Sequence, residues 1–517
     1  MNLILSRVYN KLVNPKISLP LILLFALFLR LYFFGSVVPT YPEYYDGAYM
    51  LAKDGNFPTM TLRFMAIFPT AILFIILGIS EKVALIYPLL TSLGTIILVY
   101  FIAKFFYDSK TGLIAAFLAS FFPLQVVYAT QLISDSMLPF YITLSIFFFI
   151  RGEFSDAKKS KIKRPIYLFL AGFVLALAYL TKIIALMFVI FYIVYVIYKI
   201  IKNRRIDFSY SYLMLGFLLV FGIESMYYYS HQGIEVHGYK WEPGDILFHV
   251  RAHTYAHETD GNMPKWFSDS FNKYPNFLII NRNDGVNYVG FFYLFMFLSA
   301  LYLLITKEKK AYFIIFIFIF TYLYLEVGLA SATHTVRKLI RYTLLMTPFG
   351  ILCVAFFLRS FKLKKFYGTY LKIIFVIFLL INSIFAATIT HNKLMRSTDS
   401  YGFRMKDIQN TYQYFKNKTG DIYTTGRFND IIPFYFGYEQ NYRFKELKEI
   451  NSFSDVHNAF VITNEDIYSN EKCKNSEIPY EVCNPPKNWN KVAELKFEYT
   501  GKYDDNPNIY PIIYYIP

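Results

Sequence analysis

The segment Tyr41–Gly55, YPEYYDGAYMLAKDG, gathers three carboxylates, Glu43, Asp46 and Asp54, directly behind the first apolar run. On a helix Asp46 and Tyr49 share a face with Lys53, while Ala48, Leu51 and Ala52 supply apolar surface. A carboxylate at the mouth of an apolar protein has the chemistry of a general base, able to take a proton from an attacking hydroxyl. The bland reading of Asp46 is an acid held near a helix N-terminus by the macrodipole. A second acid, Asp135, opens a later apolar segment, where it reads either as functional or as a helix cap.

Cationic residues that could meet an anionic substrate lie elsewhere in the chain. Arg30 falls in the outer half of the first apolar run, and Lys182 sits at a turn between two later ones. Residues 329–341, LASATHTVRKLIR, carry Arg337, Lys338 and Arg341. Glu224 and Glu326 lie near the outer ends of their segments. Ionisable groups inside membrane segments are costly and tend to mark function. Here they cluster toward one side, whereas a transporter places some near the midplane. In FHVRAHTYAHETDG, His249, His253 and His257 recur every four residues. On a helix they line one face and, with Glu258 or Asp260, are candidates to hold a divalent metal ion. They read equally as hydrogen-bond partners of a substrate phosphate or sugar, or as part of an amphipathic surface helix.

The elements that must position these residues are membrane helices. The 517-residue chain is 56% hydrophobic, 20% aromatic and only 17% charged, which places it among polytopic membrane proteins. Spans read at roughly 17–38, 82–103, 111–129, 135–150, 166–182, 183–200, 209–229, 288–306, 311–328, 340–358 and 368–388. The net charge of +16 does not indicate nucleic acid, because the basic residues lie mostly in short loops on alternate sides. Those loops hold Lys104 and Lys110, then Arg151 to Arg164, Lys199 to Arg205, Lys307 to Lys310 and Arg359 to Lys365.

All of them are cytoplasmic if the N-terminus is cytoplasmic and Phe64–Gly78 does not cross. That segment is short and contains Pro69, so it reads as an interfacial helix. The expectation is about eleven crossings of a cell membrane. Outer loops then cover 39–81 and 230–287, and the region after the last span is extracytoplasmic. No cleavable leader is evident. The cluster at Arg337 to Arg341 opposes this charge rule, and binding an anion such as a lipid phosphate would explain it; headgroup snorkelling is the alternative. The same cluster offers the first-loop acids a counterpart.

The polar residues 389–517 read as a separate domain after the transmembrane module 1–388. A helix over Arg404–Lys416 and strands at Asp421–Thr424, Ala459–Thr463, Val492–Tyr499 and Ile509–Ile516 suggest an α/β or α+β fold. Cys473 and Cys483, outside the cytosol, are expected to form a disulfide, and Cys353 to be inert packing.

The order of these features resembles the polyprenyl-phosphate-sugar-dependent glycosyltransferases of the GT-C fold, such as protein O-mannosyltransferases and the lipid A aminoarabinose transferase. Asp46-Gly47-Ala48-Tyr49 with Leu51-Ala52 looks like the family's acidic first-loop motif, with Gly47 where a second acid is usual and Glu43 upstream. IFPTAILFIILGIS resembles its short helix, LISDSMLPF supplies the second acid Asp135, LAGFVLALAYLTKIIAL ends in Thr-Lys at Lys182, and RYTLLMTPFGIL is similar to the late Arg-Tyr…Pro motif at Arg341 and Tyr342. The resemblance covers about the first 360 residues. It implies a single sugar carried on a polyprenyl monophosphate, passed to a hydroxyl of a protein, lipid or glycan acceptor with inversion. Asp46 would be the base, and Asp135 would orient the acceptor or hold a positive partner. Glu43, Tyr49, Arg30, Lys182, Arg337, Arg341 and Tyr342 would bind substrate. No cofactor is certain beyond the candidate divalent metal, and membrane lipids are expected partners. The competing class is a non-enzymatic polyprenyl-lipid binder or flippase, which would need a polar path across the bilayer.

Overall fold

The computed structural model describes residues 14–34, 42–55, 62–155, 163–231, 235–236, 239–243, 245–252, 290–328, 340–361, 365–396, 405–424, 435, 443–447, 450, 452–464, 479–496 and 510–517. Helices dominate up to residue 396 and a mixed sheet follows. Among the described residues, seven helical segments are long and apolar enough to cross a membrane, and Phe64–Leu77, Phe292–Ile305 and Thr347–Ser360 are shorter apolar helices.

The helices that bear on function are α1 (Pro15–Tyr32), α2 (Pro42–Asp54), α3 (Phe64–Leu77), α4 (Ile86–Phe106), α5 (Ser109–Ser120), α6 (Pro123–Tyr128), α7 (Ser134–Phe154), α8 (Lys163–Thr181), α9 (Met187–Asn203) and α10 (Ser211–Ser230). Later in the chain come α11 (Phe292–Ile305), α12 (Tyr312–Leu323), α13 (Thr347–Ser360) and the long α14 (Lys365–Arg396).

Two expected spans break where the backbone chemistry demands it. The run expected over 111–129 stops at Ser120 and resumes as α6, because Pro123 cannot continue the preceding helix. The run expected over 340–358 begins as a tight 3₁₀ turn, Ile340–Leu345, and becomes α13 only where Pro348 sits at a helix N-terminus. Both breaks lie beside the acids and cations of interest.

Polar side chains tie the bundle together. At one end of α7, Glu153 is buried and receives Lys199 Nζ at 2.7 Å, Arg164 Nη2 at 3.3 Å, the Tyr210 hydroxyl at 2.8 Å and the Tyr195 hydroxyl at 3.1 Å. That carboxylate therefore clamps the ends of α7, α8, α9 and α10 on the face that carries the basic loops. Halfway along, the Ser145 hydroxyl donates to the Ala171 carbonyl at 2.7 Å and lies 2.8 Å from the Tyr192 hydroxyl, joining α7 to α8 and α9.

The C-terminal region forms a five-stranded sheet in the order β4-β3-β5-β7-β6, with β3 Asp421–Thr424, β4 Phe444–Glu446, β5 Ala459–Thr463, β6 Asn490–Glu494 and β7 Ile512–Ile516; β1 (Glu235–Val236) and β2 (Tyr239–Lys240) form a small antiparallel pair after α10. Strands β4, β3 and β5 run parallel, and β7 and β6 are antiparallel to their neighbours. The helix α15 (Met405–Phe415) packs on the sheet through Phe415 against Phe460, ring centres 5.2 Å apart. Every residue of β5 is buried, which makes it the centre of this small core. Strand β4 was not expected, because three residues with a charge at Lys445 carry little strand pattern. Cys483 is disulfide-bonded and Cys353 is a buried free thiol; Cys473 lies outside the described residues.

Helices α8 and α10 approach each other closely. A Cβ on Gly172 would fall on the Leu213 carbonyl, and one on Gly216 on the Phe169 carbonyl. Small residues allow such backbone contact in membranes, where close packing replaces the hydrophobic drive. Gly172→Ala should therefore destabilise the protein by about 1–3 kcal/mol, read as a lower thermal midpoint in detergent. Gly222→Ala on the same α10 meets nothing within 4 Å and should leave the midpoint unchanged or raise it.

Candidate active site

Helix α7 begins after the extended residue Ile133, so Asp135 stands in its first turn, where the helix dipole favours a negative charge. Asp135 is only 5% exposed. Lys182 Nζ lies 2.6 Å from its Oδ1, and Arg341 Nε 3.1 Å from its Oδ2. Each cation comes from a break in helical structure. Lys182 has an extended backbone between α8 and a 3₁₀ turn, Ile183–Leu186, and Arg341 belongs to the 3₁₀ turn before α13. Lys182 Nζ also sits 4.0 Å from the centre of the Tyr342 ring, a cation–π contact that fixes it from the other side.

A third cation completes the centre. Arg63, at the N-terminus of α3, acts electrostatically on both Asp135 and Lys182. The sequence reading did not single out Arg63. Its signal was present, since a basic residue in the first outer loop breaks the same charge rule as Arg341. The centre thus brings Lys182, Arg341 and Arg63 to bear on one carboxylate, a gathering of donors that suits an anion with several oxygens.

The first-loop acids lie on α2, a neighbour of α3. Helix α2 packs on α3, with Tyr45 against Phe74 at 5.3 Å between ring centres. Asp46 and Glu43 are half-buried on α2, and Lys53 Nζ donates to the Tyr49 hydroxyl at 2.8 Å. Burial pushes the Tyr45 phenol well above its ordinary range, and Asp46, Tyr49 and Glu81 push it further, so it remains a neutral hydroxyl beside these acids. The sequence offers the basic cluster as counterpart to the first-loop acids; the structure pairs Arg341 with Asp135. Arg337 lies outside the described residues.

Arg30 departs from its expected role. It is fully buried, donating from Nε to Ser92 Oγ at 2.8 Å and from Nη1 to the Ala26 and Ser120 carbonyls at 3.1 and 2.9 Å. The hydroxyl and carbonyl acceptors of α4 and α5 hold it inside the bundle, so it acts as a tie between α1, α4 and α5.

A second polar cluster caps α10. His249 Nδ1 lies 2.6 Å from Glu224 Oε1, the Tyr228 hydroxyl donates to the same oxygen at 3.3 Å, and the Tyr179 ring lies 4.6 Å from the imidazole. This draws the segment 245–252 onto the bundle, where Phe248 and Ala252 pack with Tyr228, Trp241 and Leu62. The metal reading rests here on His249 alone, because His253 and His257 lie outside the described residues. Its Nε2 is buried and makes no hydrogen bond there, and a carboxylate on the opposite nitrogen is the usual support of a metal-bound imidazole. Among the described residues no group of three or more His, Cys, Asp or Glu is placed to hold a metal ion.

Residues 63–228 match the sequence profile of the dolichyl-phosphate-mannose-protein mannosyltransferase family. Arg63, Asp135 and Lys182 all fall within the match. No curated protein matches the sequence. Among solved structures, ArnT from Cupriavidus metallidurans bound to undecaprenyl phosphate superposes with a TM-score of 0.57 at 13% identity, over 96% of this chain and 97% of that one. The oligosaccharyltransferase AglB from Archaeoglobus fulgidus, in complex with an inhibitory peptide and a dolichol-phosphate, gives 0.54 at 11% identity, over 89% and 71%. The chain has the GT-C fold, a helical membrane module followed by a C-terminal region of mixed α and β structure, as its motif order implies.

The Asp135 centre can be tested as a coupled unit. Asp135→Ala leaves Lys182 and Arg341 facing each other without their carboxylate, and should cost about 3 kcal/mol or more. Adding Lys182→Met should recover at least about 1 kcal/mol of that loss, a coupling read from a double-mutant cycle of thermal stability. Additive losses would show that the pair is not coupled.

Proposed function

We propose that this protein is a membrane glycosyltransferase that moves one sugar from a polyprenyl monophosphate donor to an acceptor hydroxyl, with inversion at the anomeric carbon. The observation that carries the reading is the gathering of Lys182, Arg341 and Arg63 at Asp135, at the ends of membrane helices where a lipid phosphate would lie. The match of residues 63–228 to a dolichyl-phosphate-mannose-dependent family supports it, as do neighbours of the same fold holding undecaprenyl phosphate or dolichol-phosphate.

In this reading the donor phosphate meets Arg341, Lys182 and Arg63, with Arg337 and Tyr342 nearby in sequence. The acceptor oxygen attacks the anomeric carbon while the bond from that carbon to the phosphate oxygen breaks. The electron pair leaves with the polyprenyl phosphate, whose growing charge the cations stabilise. The acceptor proton passes to Asp46, with Glu43 and Tyr49 on the same helix α2 to orient the acceptor. Asp135 holds the cations in register while the phosphate is absent. The charge rule places the N-terminus in the cytoplasm and the site and C-terminal domain outside. Where a divalent metal binds, His249 would be one ligand and Glu224 its support.

Consumption of a radiolabelled polyprenyl monophosphate sugar by purified protein tests the base. Asp46→Asn should lower turnover by about 100-fold or more while donor binding persists. Near wild-type turnover would remove Asp46 from that role. Donor binding by the wild type with no transfer to any acceptor would favour a lipid binder instead.

A further inference from the structure

At the opposite end of the bundle from Asp135, α11, α13 and α14 enclose a groove of 480 Å³. Its walls are apolar and aromatic, with Phe295 and Leu298 from α11, Phe357 and Phe361 from α13, and Phe375 and Phe378 from α14. Lys372 lines it, half-buried two turns into α14. Arg359, in the last turn of α13, lies near enough to repel Lys372. Arg359 Nη2 is 3.2 Å from Asp108 Oδ2, but its side chain remains 56% exposed. Asp108 also accepts from the Thr111 backbone and hydroxyl, both at 2.8 Å, so its charge is shared with the start of α5. No carboxylate pairs with Lys372 among the described residues.

A lysine drawn into an apolar groove beside a second cation is doubly unfavourable without an anion. The groove's volume is in the range that holds an elongated small molecule. Its charged end lies at the face of the basic loops, and its apolar length runs toward the bundle's middle. We propose that it binds an anionic glycerophospholipid of that leaflet, with the phosphate at Lys372 and Arg359 and an acyl chain along the aromatic walls. Basic pockets between membrane helices recognise lipid headgroups in this way. A polyprenyl chain entering from the Asp135 end would carry its phosphate at the far end and leave Lys372 uncompensated, so it fits the groove less well.

Native mass spectrometry of the full chain, titrated with phosphatidylglycerol and phosphatidylcholine of identical acyl chains, reads this directly. The wild type should prefer phosphatidylglycerol by about fivefold or more. Lys372→Gln should reduce that preference to near parity. Leu298→Trp, which fills the groove without touching a charge, should weaken both lipids. Equal binding of the two lipids by the wild type would overturn the proposal, as would a preference unchanged in Lys372→Gln. Displacement of phosphatidylglycerol by uncharged polyprenol at equal concentration would assign the groove to a prenyl chain instead.

Discussion

The antiparallel pair α7 and α8 is held by an ion pair at each end, and the rest of the membrane module is arranged around that fact. Asp135 meets Lys182 at one end, and Glu153 meets Arg164 at the other. The two acids are separated by about 27 Å along α7, close to the thickness of a bilayer's hydrocarbon core. A carboxylate in such surroundings must be matched, because an unpaired charge there is costly. Matching both ends fixes the register of α7 against α8. It also recruits whatever else can reach: α9 and α10 at the Glu153 end, and the 3₁₀ turn before α13 together with the start of α3 at the Asp135 end.

The two ends solve the same electrostatic problem with different materials. Glu153 is surrounded by helix side chains, two cations and two tyrosine hydroxyls, which saturate its oxygens and belong to well-packed helical ends. Asp135 is matched from places where helices stop. Lys182 stands on extended backbone, Arg341 on a tight turn, and Arg63 just before α3. Residues at helix breaks can shift without disrupting long backbone ladders. The Asp135 end therefore gathers its cations at helix breaks, whereas the Glu153 end is a clamp between helix ends. The same break at Pro123 that splits an expected span leaves a buried segment directly before Asp135.

Much of this was legible in the sequence, for physical reasons that also mark the limit. Apolar run lengths located most helices within a few residues, and Pro123 and Pro348 explain the breaks that run length alone passes over. Strands β3 and β5 agree with their expected bounds because Ile422–Thr424 and the five residues of β5 are strand-forming throughout and leave little choice. Asp135, Lys182, Arg341 and Tyr342 were each marked by burial of charge or by motif order, but their mutual pairing was not. Asp135 and Lys182 are 47 residues apart, and nothing in either segment names the other. Arg30 shows the reverse failure: a cation in an apolar run looks like a ligand-binding group until the serine and carbonyl acceptors around it are seen.

The same geometry separates the roles of the two acids. A general base must accept a proton at the moment the nucleophile attacks. Both oxygens of Asp135 face cations, Lys182 on one and Arg341 on the other, so protonating it would displace the attractions that hold the centre together. Such a carboxylate is a poor proton acceptor and a good organiser of positive charge. Asp46 stands on a different helix, half-buried and beside a tyrosine that stays neutral. Its helix packs against α3, which follows directly on Arg63. In the proposed reaction, splitting the work this way would keep the base from being neutralised by the cations assigned to the departing phosphate.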